Sequence, residues 1–265
     1  MMFKNKWVIF LALLLVVTGG IMFIFKGNDV FGENIDKKVI EDSFTNIEIL
    51  TNNTAVEIIP TKSSVATVEY SGDTSKKSKY TFDVNVKGET LSVQFKERRR
   101  FFFSFGFPSF DLKLTVNIPE KQYESIKVNS DNGRINVENI QADVVLLETE
   151  NGQIQLRNVE ASTVNVETDN GKVILEHIKG EIKGNSDNGR ISLITNKLDW
   201  PIDLATDNGS IEIKTESVPT NATIDAESDN GKITIFNEEK NLVTYGKGKN
   251  LIKLQTDNGR ITVTK

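Results

Sequence analysis

From residue 121 onward the chain alternates apolar and polar positions in short runs, and each run breaks at an Asn-Gly pair before the alternation restarts. The glycines of these pairs are Gly133, Gly152, Gly171, Gly189, Gly209, Gly231 and Gly259, at spacings of 19, 19, 18, 20, 22 and 28 residues. Two residues after each glycine stand Ile135, Ile154, Val173, Ile191, Ile211, Ile233 and Ile261. Seven residues before it stand Ile126, Val145, Val164, Ile182, Ile202, Ile224 and Ile252. Period-2 alternation with β-branched residues at the apolar positions predicts half-buried strands. A fixed period near 20 residues predicts a repeat architecture. Each unit therefore reads as a strand, a corner, a second strand and a variable connector, and the fold class expected is all-β.

The corner residues are Asp131, Asn132 and Gly133, then Asn151 and Gly152 behind Glu150, then Asp169, Asn170 and Gly171. They continue as Asp187, Asn188 and Gly189, Asp207, Asn208 and Gly209, Asp229, Asn230 and Gly231, and finally Asp257, Asn258 and Gly259. Two arrangements fit: an antiparallel meander of Asn-Gly hairpins, or a β-solenoid in which each unit stacks on the next. The solenoid is the expected one. A meander has no need for the Ser or Thr that precedes every acid (Ser130, Thr149, Thr168, Ser186, Thr206, Ser228, Thr256), whereas stacked polar side chains can bond along a ladder. Seven units would make a rod roughly 30 Å long at strand spacing. Asn and Gly would supply left-handed backbone at the corner.

A degenerate earlier copy, "IEILTNNTAVEI", occupies residues 47–58 with Thr54 in the glycine column. Between it and the array, "SVATVEYSG" and a hairpin turning at Lys87-Gly88-Glu89 read as ordinary strands. The stretch "FDLKLTVNIPE" then leads in to the array. The expected division is a short N-terminus at 1–6, a membrane anchor at 7–25, a linker at 27–40, a β-rich part at 41–120 and the repeat solenoid at 121–265.

The anchor rests on an uncharged run from Trp7 to Phe25, preceded by Lys4 and Lys6 and ended by Lys26. Its length suits a bilayer core of roughly 30 Å, and the basic flank predicts a cytoplasmic N-terminus with the remainder outside. A cleaved signal peptide is the alternative, but the apolar run is long for one and no A-x-A site follows. A net charge of −5 argues against a nucleic-acid partner. Having no cysteine and one histidine, His177, the chain cannot build a thiolate or multi-histidine metal site.

Three stretches invite chemistry. The acidic column could form a calcium ladder, but the spacing does not match calcium-binding β-helix repeats. In most units a base follows the glycine (Arg134, Lys172, Arg190, Lys232, Arg260), so charge neutralisation across the corner is the expected role. An enzyme needs unlike groups converging on one point, and recurring identical acids such as Asp169 and Asp187 do not suggest one. No cofactor or catalytic residue is expected, and His177 reads as a surface residue in a connector. The third stretch, "KERRRFFFSFGFPSF" at 96–110, sets Arg98, Arg99 and Arg100 against Phe101, Phe102, Phe103, Phe105, Phe107 and Phe110. It reads either as a cap over one end of the solenoid or as a segment docking on a membrane or partner.

An N-terminal span, a β-rich segment ending in a "VNIP" strand (Val116–Pro119) and repeated S/T-D-N-G-x-I units together resemble the DUF4097 family of "putative adhesins". They are similar also to the membrane-anchored LiaG-type proteins of Firmicutes. The resemblance covers roughly residues 40–265. It implies a non-enzymatic, adhesin-like module of the cell envelope that binds or scaffolds an envelope component or membrane protein, with a link to envelope-stress systems. It carries over no catalytic residues. The alternative function is an enzyme acting on a cell-wall or capsular polysaccharide, with acids such as Asp169 or Asp187 among its candidate residues.

Overall fold

The computed structural model describes residues 24–26, 36–72, 80–97 and 112–265. Among them, 23 strands form two sheets, one of 12 strands and one of 11. Each repeat gives one strand to each sheet, and neighbouring repeats pair in parallel. Ile135 stands beside Ile154, Ile154 beside Val173 and Val173 beside Ile191, so each apolar column of the sequence becomes a physical stack. This parallel register establishes the solenoid and excludes the meander. The inner faces of both sheets meet in a core of aliphatic side chains, with Ile126, Val145, Val164, Ile154, Val173 and Leu175 all 0% exposed. Each sheet covers the inner face of the other, while the outer faces carry the polar positions of the alternation.

The first and mostly longer strands of the coils, with one antiparallel strand at each end, form the 11-stranded sheet. In spatial order they are Tyr80–Lys87, Thr90–Glu97, Asn46–Asn53, Gln122–Asn132, Gln141–Asn151, Glu160–Thr168, Lys179–Ser186, Ile202–Thr206, Asn250–Thr256, Ala222–Ser228 and Leu242–Tyr245. At strand spacing this stack is about 48 Å long, longer than the seven-unit rod because the earlier segment joins it. Asn46–Asn53 and Ala55–Thr61 are a full coil around Thr54, paired with the first repeat at Ile47–Ile126 and Val56–Ile135. Thr90–Glu97 and Lys113–Pro119 form another coil outside it. Residues 41–120 thus continue the solenoid instead of preceding it.

Coils do not stack in chain order at either end. The last unit of the sequence, Asn250–Thr256 with Ile261–Thr264, inserts between the units of Asn208 and Asn230. At the other end the first coil in the chain, around Thr54, lies inside the second. Both chain-terminal coils are therefore held on two sides, and the outermost coils are made of chain that continues inward. The long spacings of 22 and 28 residues reflect this: the connectors must pass over a coil. Residues 242–245 of the second connector form an antiparallel edge strand on Ala222–Asp225, between turns at 236–241 and 246–249.

Antiparallel strands close the N-terminal end as well: Tyr80–Lys87 on one sheet, and Ala66–Ser71, Asp36–Ile40 and Ile24–Lys26 on the other. Residues 36–40, expected in a linker, are thus an edge strand. Tyr70, Tyr80, Phe82 and Phe95 cover the core at this end, with ring centroids 5.0–6.0 Å apart. Residues 7–23 of the anchor expected at 7–25, and the N-terminus before them, lie outside the described residues. Because Ile24–Lys26 pairs with Asp36–Ile40, a membrane helix would have to end by Phe23. Among the described residues, no helix is long and apolar enough to cross a membrane.

Candidate functional site: the asparagine corner edge

The corners stack into one continuous edge. Asn132 Nδ2 donates to Asn53 Oδ1 at 2.8 Å, Asn151 to Asn132 at 2.9 Å and Asn170 to Asn151 at 3.0 Å. Asn188 donates to Asn170, Asn208 to Asn188 and Asn258 to Asn208, each at 3.0 Å, and Asn230 closes the series by donating to Asn258 at 3.1 Å. Eight side chains make one amide ladder that runs unbroken through the reordered C-terminal coils. The expected ladder of Ser and Thr reduces to one rung, Thr51 Oγ1 to Ser130 Oγ at 3.0 Å. Thr168, Thr206, Ser228 and Thr256 instead bond the corner glycine carbonyl of the adjoining coil, whereas Thr149 Oγ1 and Ser186 Oγ are buried without a hydrogen-bond partner. Thr206 reaches Gly189 O at 3.1 Å and Thr256 reaches Gly209 O at 3.0 Å.

The corner glycines serve a purpose other than the left-handed backbone expected of them. Of the seven, only Gly133 has positive φ, at 159°, next to the extended range, and no corner asparagine has positive φ. What each glycine lacks is space. A Cβ on Gly171 would sit 1.6 Å from Gly152 O, and one on Gly189 would sit 1.6 Å from Gly171 O. The corner backbones stack too closely for any side chain.

Left-handed backbone occurs instead at a second corner, after the short strands, which the reading of the sequence missed. Asn139, Asn158 and His177 have φ of 56°, 52° and 55°. All three lie six residues after a corner glycine, and that recurrence was the available signal. Asn158 donates to Asn139 at 3.0 Å, and His177 Nδ1 is 2.9 Å from Asn196 Oδ1. Asparagine tolerates this conformation best among residues with a Cβ. His177→Asn is therefore expected to leave stability unchanged or raise it by about 0.5 kcal/mol, and His177→Val to lower it by about 1–2 kcal/mol. Urea titrations of the two variants check this.

Flanking the amide ladder are two charged columns. On the long-strand side lie Asp131, Glu150, Asp169, Asp187, Asp207, Asp257 and Asp229; on the short-strand side lie Arg134, Lys172, Arg190, Arg260 and Lys232. The expected neutralisation across the corner is not what forms. Among the described residues, Arg190 pairs with Glu212 at 3.7 Å and Lys232 with Glu239, and no ion pair joins a corner acid to the base after its glycine. Asp131 instead accepts a hydrogen bond from Asn52. The edge thus presents an acidic stripe and a basic stripe with a neutral amide rail between them. On the outer face of the short-strand sheet, Arg157 lies between Glu138 at 3.7 Å and Glu176 at 2.6 Å. Hydrogen bonding to Glu176 holds that guanidinium above its ordinary range.

Ladder and stripe separate in their contribution to stability. Asn170→Ala removes two rungs in mid-stack and is expected to cost about 1–3 kcal/mol. Asp169→Ala, at an exposed carboxylate, should stay within about 0.5 kcal/mol. Thermal melts of both variants check the contrast.

No three His, Asp or Glu side chains converge on a common point among the described residues. One groove of about 420 Å³ does gather unlike polar groups, near Tyr123, Lys121, Glu120 and Glu160. Its two best candidates for chemistry are engaged. Tyr123 is 1% exposed and donates to Pro119 O at 2.8 Å, and burial raises its phenol well above the ordinary range. Lys121 donates to Phe44 O and lies 5.2 and 5.1 Å from the Phe44 and Tyr123 ring centres. The docking candidates Arg98, Arg99, Arg100, Phe101, Phe102, Phe103 and Phe105 lie outside the described residues. The strands on either side, Thr90–Glu97 and Lys113–Pro119, bracket the corner position of their coil. Glu97 and Leu112, the described residues on either side of the segment, thus lie toward the asparagine edge.

The family model described as Toastrack DUF4097 matches residues 44–179 and 131–264. Similar solved structures include a "putative cell adhesion protein" from Clostridium sporogenes, 14% identical over 88% of this chain and 99% of that one, with a TM-score of 0.45. Another is a "putative adhesin" from Bacteroides fragilis, 12% identical over 87% and 97%, with a TM-score of 0.47. A "putative lipid binding protein" from Parabacteroides distasonis is 14% identical over 88% and 97%, with a TM-score of 0.40. No curated protein matches the chain. On the family match over both halves of the solenoid, the chain belongs to the DUF4097 (Toastrack) family.

Proposed function

We propose that the protein is a non-enzymatic, adhesin-like rod of the cell envelope, tethered by its N-terminal apolar run and making multivalent contacts along its corner edge. The observation that carries this reading is the sameness of the edge. Eight asparagines repeat coil after coil at strand spacing, flanked by an acid in all seven Asn-Gly units and by a base in five of them. Repetition suits a partner that is itself extended or repetitive, because many weak contacts then add. It suits catalysis poorly, since a reaction centre needs different groups at one place.

Anchor and topology belong to the proposal: the N-terminus cytoplasmic, residues 7–23 in the membrane, the solenoid outside. An envelope component or membrane protein is the partner, and the resemblance to LiaG-type proteins adds a link to envelope stress. The Arg98–Phe105 segment is a further candidate for contact with anionic headgroups, its arginines supplying charge and its phenylalanines apolar surface.

Replacing Arg134, Lys172 and Arg260 by Gln one at a time tests the multivalent edge. Each replacement is expected to weaken retention of the full-length protein on purified cell envelopes, with losses accumulating and shrinking at high salt. Retention unchanged in the triple variant would remove the edge from the contact. Release of soluble saccharide from those envelopes by the wild-type protein would favour the enzyme instead.

A further inference from the structure

On the connector side of the rod, away from the asparagine edge, the long strands begin with a column of inward residues that shrinks along the stack. Tyr123 pairs with Ala142, Ala142 with Ala161, and Gly180 follows in the next coil. The side chains fall from a ring to two methyls to nothing, and the next residue of the column, Trp200, turns partly outward at 45% exposure. A β-bulge at Ala161–Ser162, where the Glu160 strand has one residue more than the Lys179 strand, re-aims Ser162 at the same place. The result is a hollow of about 290 Å³, floored by Ala142, Ala161 and Gly180 and walled by Trp200. Gln122, Glu160, Ser162 and Lys179 form its rim.

We infer that this hollow is a binding site for a neutral pyranose unit of an envelope glycan. The indole offers an apolar plane to the C–H face of a sugar ring, and its amphipathic character suits a half-wet site. Around it the rim carries hydroxyl, amide, carboxylate and ammonium groups, donors and acceptors together, which match the dual character of sugar hydroxyls. Rim charge favours a neutral ligand, because Lys179 and Glu160 pair at 3.1 Å and cancel. Gln122 is already oriented by its bond to Asp143 at 2.8 Å. The volume is at the small end for ligand pockets, about one ring instead of an oligosaccharide. A peptide partner anchored by a large side chain would need a deeper cavity than this floor allows.

The inference rests on the binding-module reading but lies on another face of the rod. A failure here leaves the corner-edge contacts standing. The experiment uses full-length protein in detergent micelles carrying Trp7→Phe, so that Trp200 is the single remaining tryptophan. Cellotriose and N,N′,N″-triacetylchitotriose are the probes. The expected result is a saturable change in Trp200 emission with a millimolar half-point for at least one of them. Ser162→Tyr, which fills the hollow from its exposed rim, should raise that half-point about ten-fold or more. Trp200→Phe should retain binding by calorimetry, whereas Trp200→Ala should lose it. Absence of saturation by both sugars overturns the inference, as does a half-point unmoved by Ser162→Tyr. Emission that saturates only with an envelope protein would also overturn it, in favour of a protein partner.

Discussion

Gly171→Ala is expected to destabilise the protein by more than about 4 kcal/mol, near the whole stability of an ordinary domain. The added methyl would stand 1.6 Å from Gly152 O, and that carbonyl belongs to a coil held by parallel pairing on both sides. Relief requires prising two coils apart at the corner, which also lengthens the Asn170–Asn151 bond of the amide ladder. Gly88→Ala is the matched comparison. Gly88 is in the left-handed region at φ 59° with nothing within 4 Å of an added Cβ, so the change should cost about 1–2 kcal/mol. Urea unfolding of the two variants separates the explanations. If the corner glycines were selected for left-handed backbone, both substitutions would cost the same.

Ending the chain after Lys249 should be nearly as damaging, although it removes only the last unit. In a solenoid stacked in chain order, such a truncation would fray one end. Here the removed coil is an interior layer. It carries Ile252, Leu254, Ile261 and Val263, each 0% exposed. At about 1.5–3 kcal/mol for each buried aliphatic side chain, the loss exceeds about 6 kcal/mol. It also strands the Asn230 coil, whose parallel partners in both sheets are the deleted strands. Limited proteolysis of the truncated protein should cut first in the connector at 216–221 and release the following segment. An unchanged melting temperature with cleavage confined to the final residues would contradict the interleaved order.

Much of this fold is legible in the residues themselves. Ile135, Ile154, Val173 and Ile191 share one column, and parallel pairing places them side by side because each repeat has nearly the same length. The inward direction of Ser130 was also available: it follows Ile126 and Val128 at even intervals, so it shares their face. The hydroxyl column is therefore buried, and the adjoining asparagine is left to form the ladder. Coil order was not legible. Every unit offers the same two edges, so the periodicity cannot say which unit neighbours which; only the long spacings before Gly231 and Gly259 hint at a detour. The corner glycines misled because Asn-Gly normally marks positive φ, and the interlayer approach that requires Gly171 appears only once two coils are stacked. For the Trp200 hollow the sequence gives no single motif, since its floor, bulge and wall come from successive coils.

The account stands or falls on the corner edge as the contact surface. The most direct measurement is photo-crosslinking in intact cells, with the reactive group placed at Lys172 on that edge and, separately, at Lys183 on the outer face of the long-strand sheet. Both positions are exposed. The account predicts discrete covalent adducts to an envelope component from position 172 and few or none from position 183. Equal labelling from the two positions, or none from 172, would contradict it.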